Sequence, residues 1–191
     1  MTHVPEKLCL SLADVGRAET FIETGTYVGH TALWASQHFR RVITIEADEK
    51  NFMRAKQGIG HIPNIEMVQG FSGHRLLSVL DSVPGRAVIW LDAHHPSNDE
   101  HECPLMDELS QIRKCNQEHI VLVDDAHYIS QPPPNPWNHE RWPNLGDIMD
   151  ALPEGYEMAL VDSVLVCVPL ELWGVVVEHG KNRSVHDRIK T

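Results

Sequence analysis

Short apolar runs alternate along the chain with longer segments in which apolar residues recur at helical spacing. Runs of four to eight residues rich in Val, Ile and Leu are typical of buried strands. Strand, helix and strand in repeated succession predict a parallel sheet with right-handed crossovers and helices on both faces. The predicted strands are Thr20–Glu23, Val42–Glu46, Ile65–Val68, Ala87–Asp92 and His119–Asp124.

The end of the chain follows a different pattern. Tyr156–Val161 and Val164–Val168 are two β-type runs with only Asp162 and Ser163 between them. Such close spacing predicts an antiparallel hairpin added to the parallel sheet. The predicted fold is therefore α/β: one Rossmann-like, doubly wound, mostly parallel seven-stranded sheet with a C-terminal hairpin. We expect a single domain over residues 1–191, with a short helix within residues 1–18.

Two later segments have clear helical faces. Leu105, Leu109 and Ile112 share one face after Pro104, which suits the first turn of a helix. The same spacing places a second set on one helical face: Leu145, Ile148, Met149 and Leu152.

The composition of the chain limits the kinds of molecule that we expect it to bind. The 191 residues carry a formal net charge of −11, which repels nucleic acid, so we expect a small-molecule substrate and no nucleic acid. The amino terminus has no basic start followed by an apolar stretch, and no run approaches about 18 apolar residues. The sequence thus predicts a cytoplasmic protein without a membrane partner.

Acidic residues stand at the ends of four of the five predicted parallel strands: Glu23, Glu46, Asp92 and the pair Asp124–Asp125. Ligands of doubly wound sheets bind outside the carboxyl ends of the strands, so these side chains should meet at one edge. A single acid at such a position can equally well cap the following helix. The group as a whole favours a binding site.

The first of these acids introduces a glycine turn, Glu-Thr-Gly-Thr-Tyr-Val-Gly, at residues 23–29. A nicotinamide-binding loop, G-x-G-x-x-G, needs a glycine where Tyr27 stands, because the backbone must approach a pyrophosphate. The string resembles the first motif of class I S-adenosylmethionine (SAM)-dependent methyltransferases with its central glycine replaced. SAM has no pyrophosphate, so this replacement is tolerable, although G-x-x-x-G can also be a packing device.

This resemblance implies a set of cofactor-binding residues. Glu46 would take the ribose hydroxyls as the acid that ends the second strand. Residues after the third strand would border the adenine, and an acid near the loop suits the cationic methionine end of SAM. The predicted set is Glu23, Gly25, Thr26, Tyr27, Gly29, Glu46, Gly70, Phe71, Ser72 and Asp92.

A second cluster follows the fourth and fifth strands. Asp92, Asp124 and Asp125 are hard oxygen ligands suited to Mg²⁺. Their placement resembles that of the metal-dependent O-methyltransferases, above all the macrocin type. That resemblance implies a catalytic role for Asp92 and makes His95 the general base, with His94 and His127 as alternatives.

Two other interpretations of this cluster stay open. Asp92 can contact only the cofactor, with Asp124 and Asp125 as turn or cap residues. Alternatively, four nitrogen and sulfur ligands could bind zinc: His94, His95, His101 and Cys103.

The sequence thus favours a SAM-dependent methyltransferase that methylates an oxygen of a small hydroxylated metabolite, a sugar or a natural-product intermediate, with help from Mg²⁺. Loops 94–103 and 126–143 would lie on the substrate side, and a homodimer is a further expectation. The alternatives are a nicotinamide-dependent oxidoreductase and a non-catalytic SAM- or metal-binding module.

Overall fold

A computed structural model describes residues 4–94, 103–131 and 138–189. Strands and helices alternate as the apolar pattern predicts, and short 3₁₀ turns occur at His139–Arg141 and Leu170–Leu172. In chain order the elements are α1 (Glu6–Gly16), β1 (Thr20–Thr24), α2 (His30–Ser36), β2 (Arg41–Glu46), α3 (Glu49–Ile59), β3 (Ile65–Gln69), α4 (Ser72–Leu80), β4 (Ala87–Leu91), α5 (Leu105–Lys114), β5 (Ile120–Val123), α6 (His127–Ser130), α7 (Leu145–Ala151), β6 (Tyr156–Val161), β7 (Val164–Pro169) and α8 (Trp173–Ile189).

The strands form one seven-stranded sheet in the order β3-β2-β1-β4-β5-β7-β6. Strands β1 to β5 are parallel, whereas β7 pairs antiparallel with both β5 and β6. These findings confirm the predicted sheet and its C-terminal hairpin. The order reverses between β1 and β4, and a crevice at the carboxyl ends of the strands is expected at such a point.

Both faces of the central strands are buried because helices cover the sheet on each side. Phe21 and Trp90 pack into a core beneath α1, α2 and α8, whereas Ile22 and Ile89 point to the opposite core beneath α4, α5 and α7. This double burial explains the continuous apolar runs in the sequence. Within the described part of the chain, no helix has both the length and the apolar character needed to cross a membrane.

The two predicted helical faces differ in how much of each is buried. Leu105, Leu109 and Ile112 of α5 are all buried, as predicted. On α7, Ile148 and Leu152 are buried, but 46% of Leu145 and 60% of Met149 are exposed. The four residues share a face, as predicted, but a two-turn helix at the rim that packs mainly against α5 buries only a narrow stripe of it.

Substitution of neighbouring residues on α7 tests this orientation of the helix. Ile148→Ala should lower the free energy of unfolding by about 2–4 kcal/mol, because it opens a cavity in the core. Met149→Ala removes an exposed side chain and should change it by less than about 0.5 kcal/mol. Urea denaturation of both variants measures the difference, and equal effects would contradict the orientation described here.

Candidate active site

The glycine loop after β1 is held between the ends of β2 and β4. The Gly25 amide donates a hydrogen bond to the Ile45 carbonyl over 2.9 Å. Gly25 has a φ of 83°, and a Cβ at this position would overlap the carbonyl oxygen of Asp92. Only glycine can occupy this position, because any side chain would separate the loop from the end of β4.

The rest of the loop leads into α2 through a second left-handed glycine. Gly29 has a φ of 83°, and a Cβ there would lie 2.6 Å from Ile59 Cδ1. Tyr27 also adopts a left-handed conformation, with a φ of 48°, and 61% of its side chain is exposed. Such a conformation is costly for a residue other than glycine, so the loop needs a stabilising partner at Tyr27.

That partner is Glu46, at the end of β2. Its Oε2 accepts a hydrogen bond from the Tyr27 amide over 2.7 Å, and its Oε1 accepts one from the Asp48 amide over 2.9 Å. Glu46 lies at the predicted edge, but its two backbone partners were not foreseen. Each carboxylate oxygen still has a further lone pair, so both can also accept a hydroxyl group.

Glu23 lies deeper than its place in the motif suggests. It is 1% exposed, and the Thr44 hydroxyl donates to its Oε2 over 2.6 Å. A second short contact of 2.6 Å joins the hydroxyls of Thr26 and Thr44. Burial, together with the charges of Asp92 and Glu46, raises the pKa of Glu23 to about 8, although the hydrogen bond from Thr44 lowers it in part. The uncharged acid is therefore the favoured form near neutral pH, and a nearby cation would favour its ionisation.

The third predicted segment, after β3, lies beside Glu46. The Gly70 amide donates to the Glu46 carbonyl over 2.9 Å, and Gly70 has a φ of 140°. Phe71 precedes α4 and Ser72 begins it. The residues expected around the ribose and the adenine are thus neighbours at one edge of the sheet.

A group of acids and histidine occupies the ends of β4 and β5. His94 Nε2 lies 3.3 Å from Asp125 Oδ2 and 3.9 Å from Asp92 Oδ1. Burial lowers the pKa of His94, but the bond to Asp125 and the nearby carboxylates outweigh this effect and raise it overall. Burial and the charge of Asp124 raise the pKa of Asp92 to about 7. The carboxylates on either side thus favour the protonated form of the imidazole.

Asp124 and Asp125 have different environments. Asp124 is 2% exposed, and its Oδ1 accepts the Asp125 amide over 2.8 Å. Asp125 has a φ of 49°, which turns its side chain towards the histidines. His127 Nδ1 lies 3.7 Å from Asp125 Oδ1, and the Trp142 ring centroid lies 5.0 Å from that of His94.

Within residues 4–94, 103–131 and 138–189, no three His, Cys, Asp or Glu side chains converge closely enough to hold a metal ion. The three predicted ligands therefore lie at one edge without forming a ready-made cage. His95, the predicted base, lies outside the described residues, as does His101 of the zinc alternative. Parts of the predicted substrate loops also lie outside the described residues: 95–102 of loop 94–103 and 132–137 of loop 126–143.

Sequence comparison finds no protein-family model and no curated protein that matches the chain significantly. Structure comparison does find matches. An O-methyltransferase from Bacillus cereus in complex with SAH has a TM-score of 0.58 at 18% identity, covering 88% of this chain and 82% of that one. The SAH-bound methyltransferase PaMTH1 of Podospora anserina scores 0.57 at 15% identity, covering 88% and 79%. The O-methyltransferase TomG of Streptomyces achromogenes, in complex with SAM, scores 0.53 at 19% identity, covering 88% and 82%.

The chain has the fold of these class I SAM-dependent methyltransferases. Because one fold hosts many activities, the activity of this chain has to be argued from its own site. At the carboxyl edge of the sheet, the glycine loop and residues 70–72 lie against Glu46. Asp92, His94 and Asp125 form a second group at the same edge, and Gly25 joins the two groups.

Sequence reasoning missed several buried polar residues near this edge of the sheet. Thr24 and Thr44 lie in buried strands, where their hydroxyls gave no periodic signal. Glu108 is 1% exposed although it lies among polar residues of the α5 pattern. Its burial follows from the packing of α5 against α4, and the spacing of residues in the sequence does not reveal it.

The raised pKa of Glu23 predicts a stability effect that depends on pH. An acid whose pKa is higher in the folded than in the unfolded protein stabilises the fold fully when the pH is below the unfolded pKa. This contribution is lost as the pH rises through the folded pKa, which is about 8 for Glu23. The free energy of unfolding of Glu23→Gln, relative to that of the wild type, should therefore increase by roughly 3 kcal/mol between pH 5 and pH 8. Urea denaturation at both pH values measures this gain. A variant whose relative stability does not change with pH would show that Glu23 is ionised in the folded protein.

Proposed function

We propose that this chain is a SAM-dependent methyltransferase that methylates an oxygen atom of a small hydroxylated metabolite. The observation that carries the proposal is the contact of Gly25 with the Asp92 carbonyl, which joins the glycine loop to the acid–histidine group. A cofactor bound along the loop would then end beside groups that can bind and deprotonate an acceptor. The fold shared with SAM- and SAH-bound methyltransferases supports this arrangement.

The proposed cofactor site consists of the glycine loop, Glu46 and residues 70–72. It suits an adenosyl group without a pyrophosphate. Glu46 has acceptor capacity for ribose hydroxyls, and Gly70, Phe71 and Ser72 lie next to it for the adenine. Tyr27 stands where a nicotinamide loop needs glycine, and its conformation depends on Glu46. Glu23 and Asp92, both with raised pKa values, would be stabilised as anions by the cationic methionine end of SAM.

Methyl transfer requires that the acceptor oxygen be aligned with the methyl group and that one proton be removed from the acceptor. The acceptor oxygen attacks the methyl carbon in line with the breaking carbon–sulfur bond, forming the new carbon–oxygen bond and releasing SAH. A base must take the hydroxyl proton, and we assign this role to His95 from its position three residues after Asp92. Of the alternatives, His94 is 5% exposed and shared between two carboxylates, whereas His127 is half exposed beside Asp125.

Magnesium assistance belongs to the same proposal. Asp92 and Asp125 have side chains that are 34% and 32% exposed, and their hard oxygens suit Mg²⁺, which keeps several waters and needs few protein ligands. Asp124 would support the site from a buried position. When bound, the ion would lower the pKa of an acceptor hydroxyl.

The acceptor is expected to be a sugar or a natural-product intermediate that enters between loops 94–103 and 126–143. Trp142, against His94 and 5.4 Å from the Tyr128 ring, offers an apolar wall for a ring. The net charge of −11 disfavours a nucleic-acid acceptor. A cytoplasmic location and a homodimer complete the proposal.

Calorimetry with SAM, and with NAD as comparison, tests the cofactor assignment. The wild type should bind SAM, and Glu46→Ala should weaken this binding by about 10- to 100-fold, because a charged acceptor is lost. Glu49→Ala, an exposed acid three residues away, is the matched control and should bind SAM normally. Binding of NAD without SAM would refute the proposal and favour an oxidoreductase.

A second titration tests the metal assignment. Asp125→Asn should abolish Mg²⁺ binding in the presence of SAM while changing SAM affinity by less than about twofold, because the carboxylate charge holds the ion. Asp81→Asn, at the exposed end of α4, controls for loss of one negative charge. Unchanged Mg²⁺ binding by Asp125→Asn would remove this residue from the metal site.

A further inference from the structure

A cavity of about 490 Å³ lies between the first turn of α5 and the helix α7. Met106, Arg141 and Trp142 are among the residues that line this cavity, which we call the Arg141 cavity. The ring of Trp142 also packs against His94, with 5.0 Å between the two ring centroids. Trp142 therefore belongs both to the wall of the cavity and to the surroundings of His94. A molecule with one end beside His94 can extend past Trp142 into the cavity.

Arg141 has a hydrogen-bond donor that the fold leaves unused. The residue is half-buried, and within the described part of the chain its Nη1 atom is buried without a hydrogen-bond partner. A guanidinium group keeps its proton in proteins, so Arg141 cannot avoid the cost of this burial by becoming neutral. Most buried donors are paired, which indicates that an acceptor is missing here. Because Arg141 lines the cavity, an occupant of the cavity can supply that acceptor.

Three acids also line the cavity and limit the kind of occupant that fits. Glu140, Asp147 and Asp150 are all exposed, and Asp147 Oδ2 already accepts the Asn144 amide over 2.9 Å in the cap of α7. Water screens exposed charges, so these acids repel an anion weakly, whereas the buried end of Arg141 attracts it in a less polar environment. Carboxylate oxygens also accept hydroxyl groups. The cavity therefore suits a hydroxylated molecule with a single negative charge.

We propose that the Arg141 cavity binds a carboxylate group of the methyl acceptor, which makes the acceptor a hydroxylated carboxylic acid. Arg141 donates to the carboxylate, because charge-assisted bonds are strong and the planar guanidinium matches a planar carboxylate. The adjoining apolar part of the acceptor packs on Trp142 and Met106. A carboxylate fits better than a phosphate, since a second negative charge doubles the repulsion from the three acids. The identity of this occupant as the acceptor rests on the proposed function.

Three ring compounds of similar shape and different charge test the proposal: 4-hydroxybenzoate, the neutral 4-hydroxybenzamide and the cationic 4-hydroxybenzylamine. Calorimetry in the absence of SAM should show that the wild type binds the benzoate at least about tenfold more tightly than the benzamide. Arg141→Gln should lose this preference, because glutamine keeps a donor but not the positive charge. Arg141→Lys keeps the charge without the planar fork and should retain only part of the preference.

Further variants control for charge, ring contact and folding. Arg40→Gln removes a positive charge from a side chain that is 82% exposed beside β2, and it should keep the preference for the benzoate. Trp142→Leu should weaken binding of the benzoate and the benzamide by similar factors, because both lose the same ring contact. The melting temperature of Arg141→Gln should equal or exceed that of the wild type, since an unpaired buried donor is removed. If Arg141→Gln does not fold, Arg141→Lys takes its place.

Three outcomes would overturn the inference. The wild type does not bind the benzoate more tightly than the benzamide; it prefers the benzylamine, which would show that the three acids set the charge preference; or Arg141→Gln keeps the full preference for the benzoate. Failure of the wild type to bind SAM is a different result. It would overturn the proposed function, whereas binding of the benzoate through Arg141 would still identify the cavity as a carboxylate site.

Discussion

The close approach of the Gly25 backbone to the Asp92 carbonyl is the constraint on which the site depends. A Cβ at residue 25 would overlap that oxygen, so a side chain there would push the glycine loop away from β4. The Gly25 amide is bonded to β2 at the same time. One residue without a side chain therefore brings together the ends of three strands. Through them it joins the part of the sheet edge that holds Glu46 and Gly70 to the part that holds Asp92 and His94.

Electrostatics gives this crevice a preference for cations. Burial and the charges of neighbouring carboxylates raise the pKa values of Glu23 and Asp92, and burial raises that of Glu108. His94 compensates part of this charge by lying between Asp92 and Asp125. A sulfonium cofactor would supply further positive charge. The cost of burying acids in the empty protein would then be recovered as binding free energy when a cation enters.

Much of the architecture followed from residue patterns. Apolar runs located every strand to within a residue or two, and the two-residue gap at Asp162 and Ser163 predicted the hairpin. On α7 the exposure of Leu145 and Met149 could not be predicted, because spacing shows which residues share a face but not how much of that face a neighbour covers. His94 was considered only as an alternative base, since nothing in the sequence shows that its ring lies between two carboxylates.

The sequence by itself determined the parallel sheet, its terminal hairpin and the edge at which the acids meet, because strand periodicity and strand ends are local properties. It also assigned Gly25, Gly29 and Glu46 to one expected binding site. Only the tertiary structure decided that Glu46 accepts the Tyr27 amide, that Glu23 is buried against Thr44, and that Glu108 on α5 is buried. These contacts join residues that are far apart in the chain, and packing between elements, rather than residue spacing, sets their geometry.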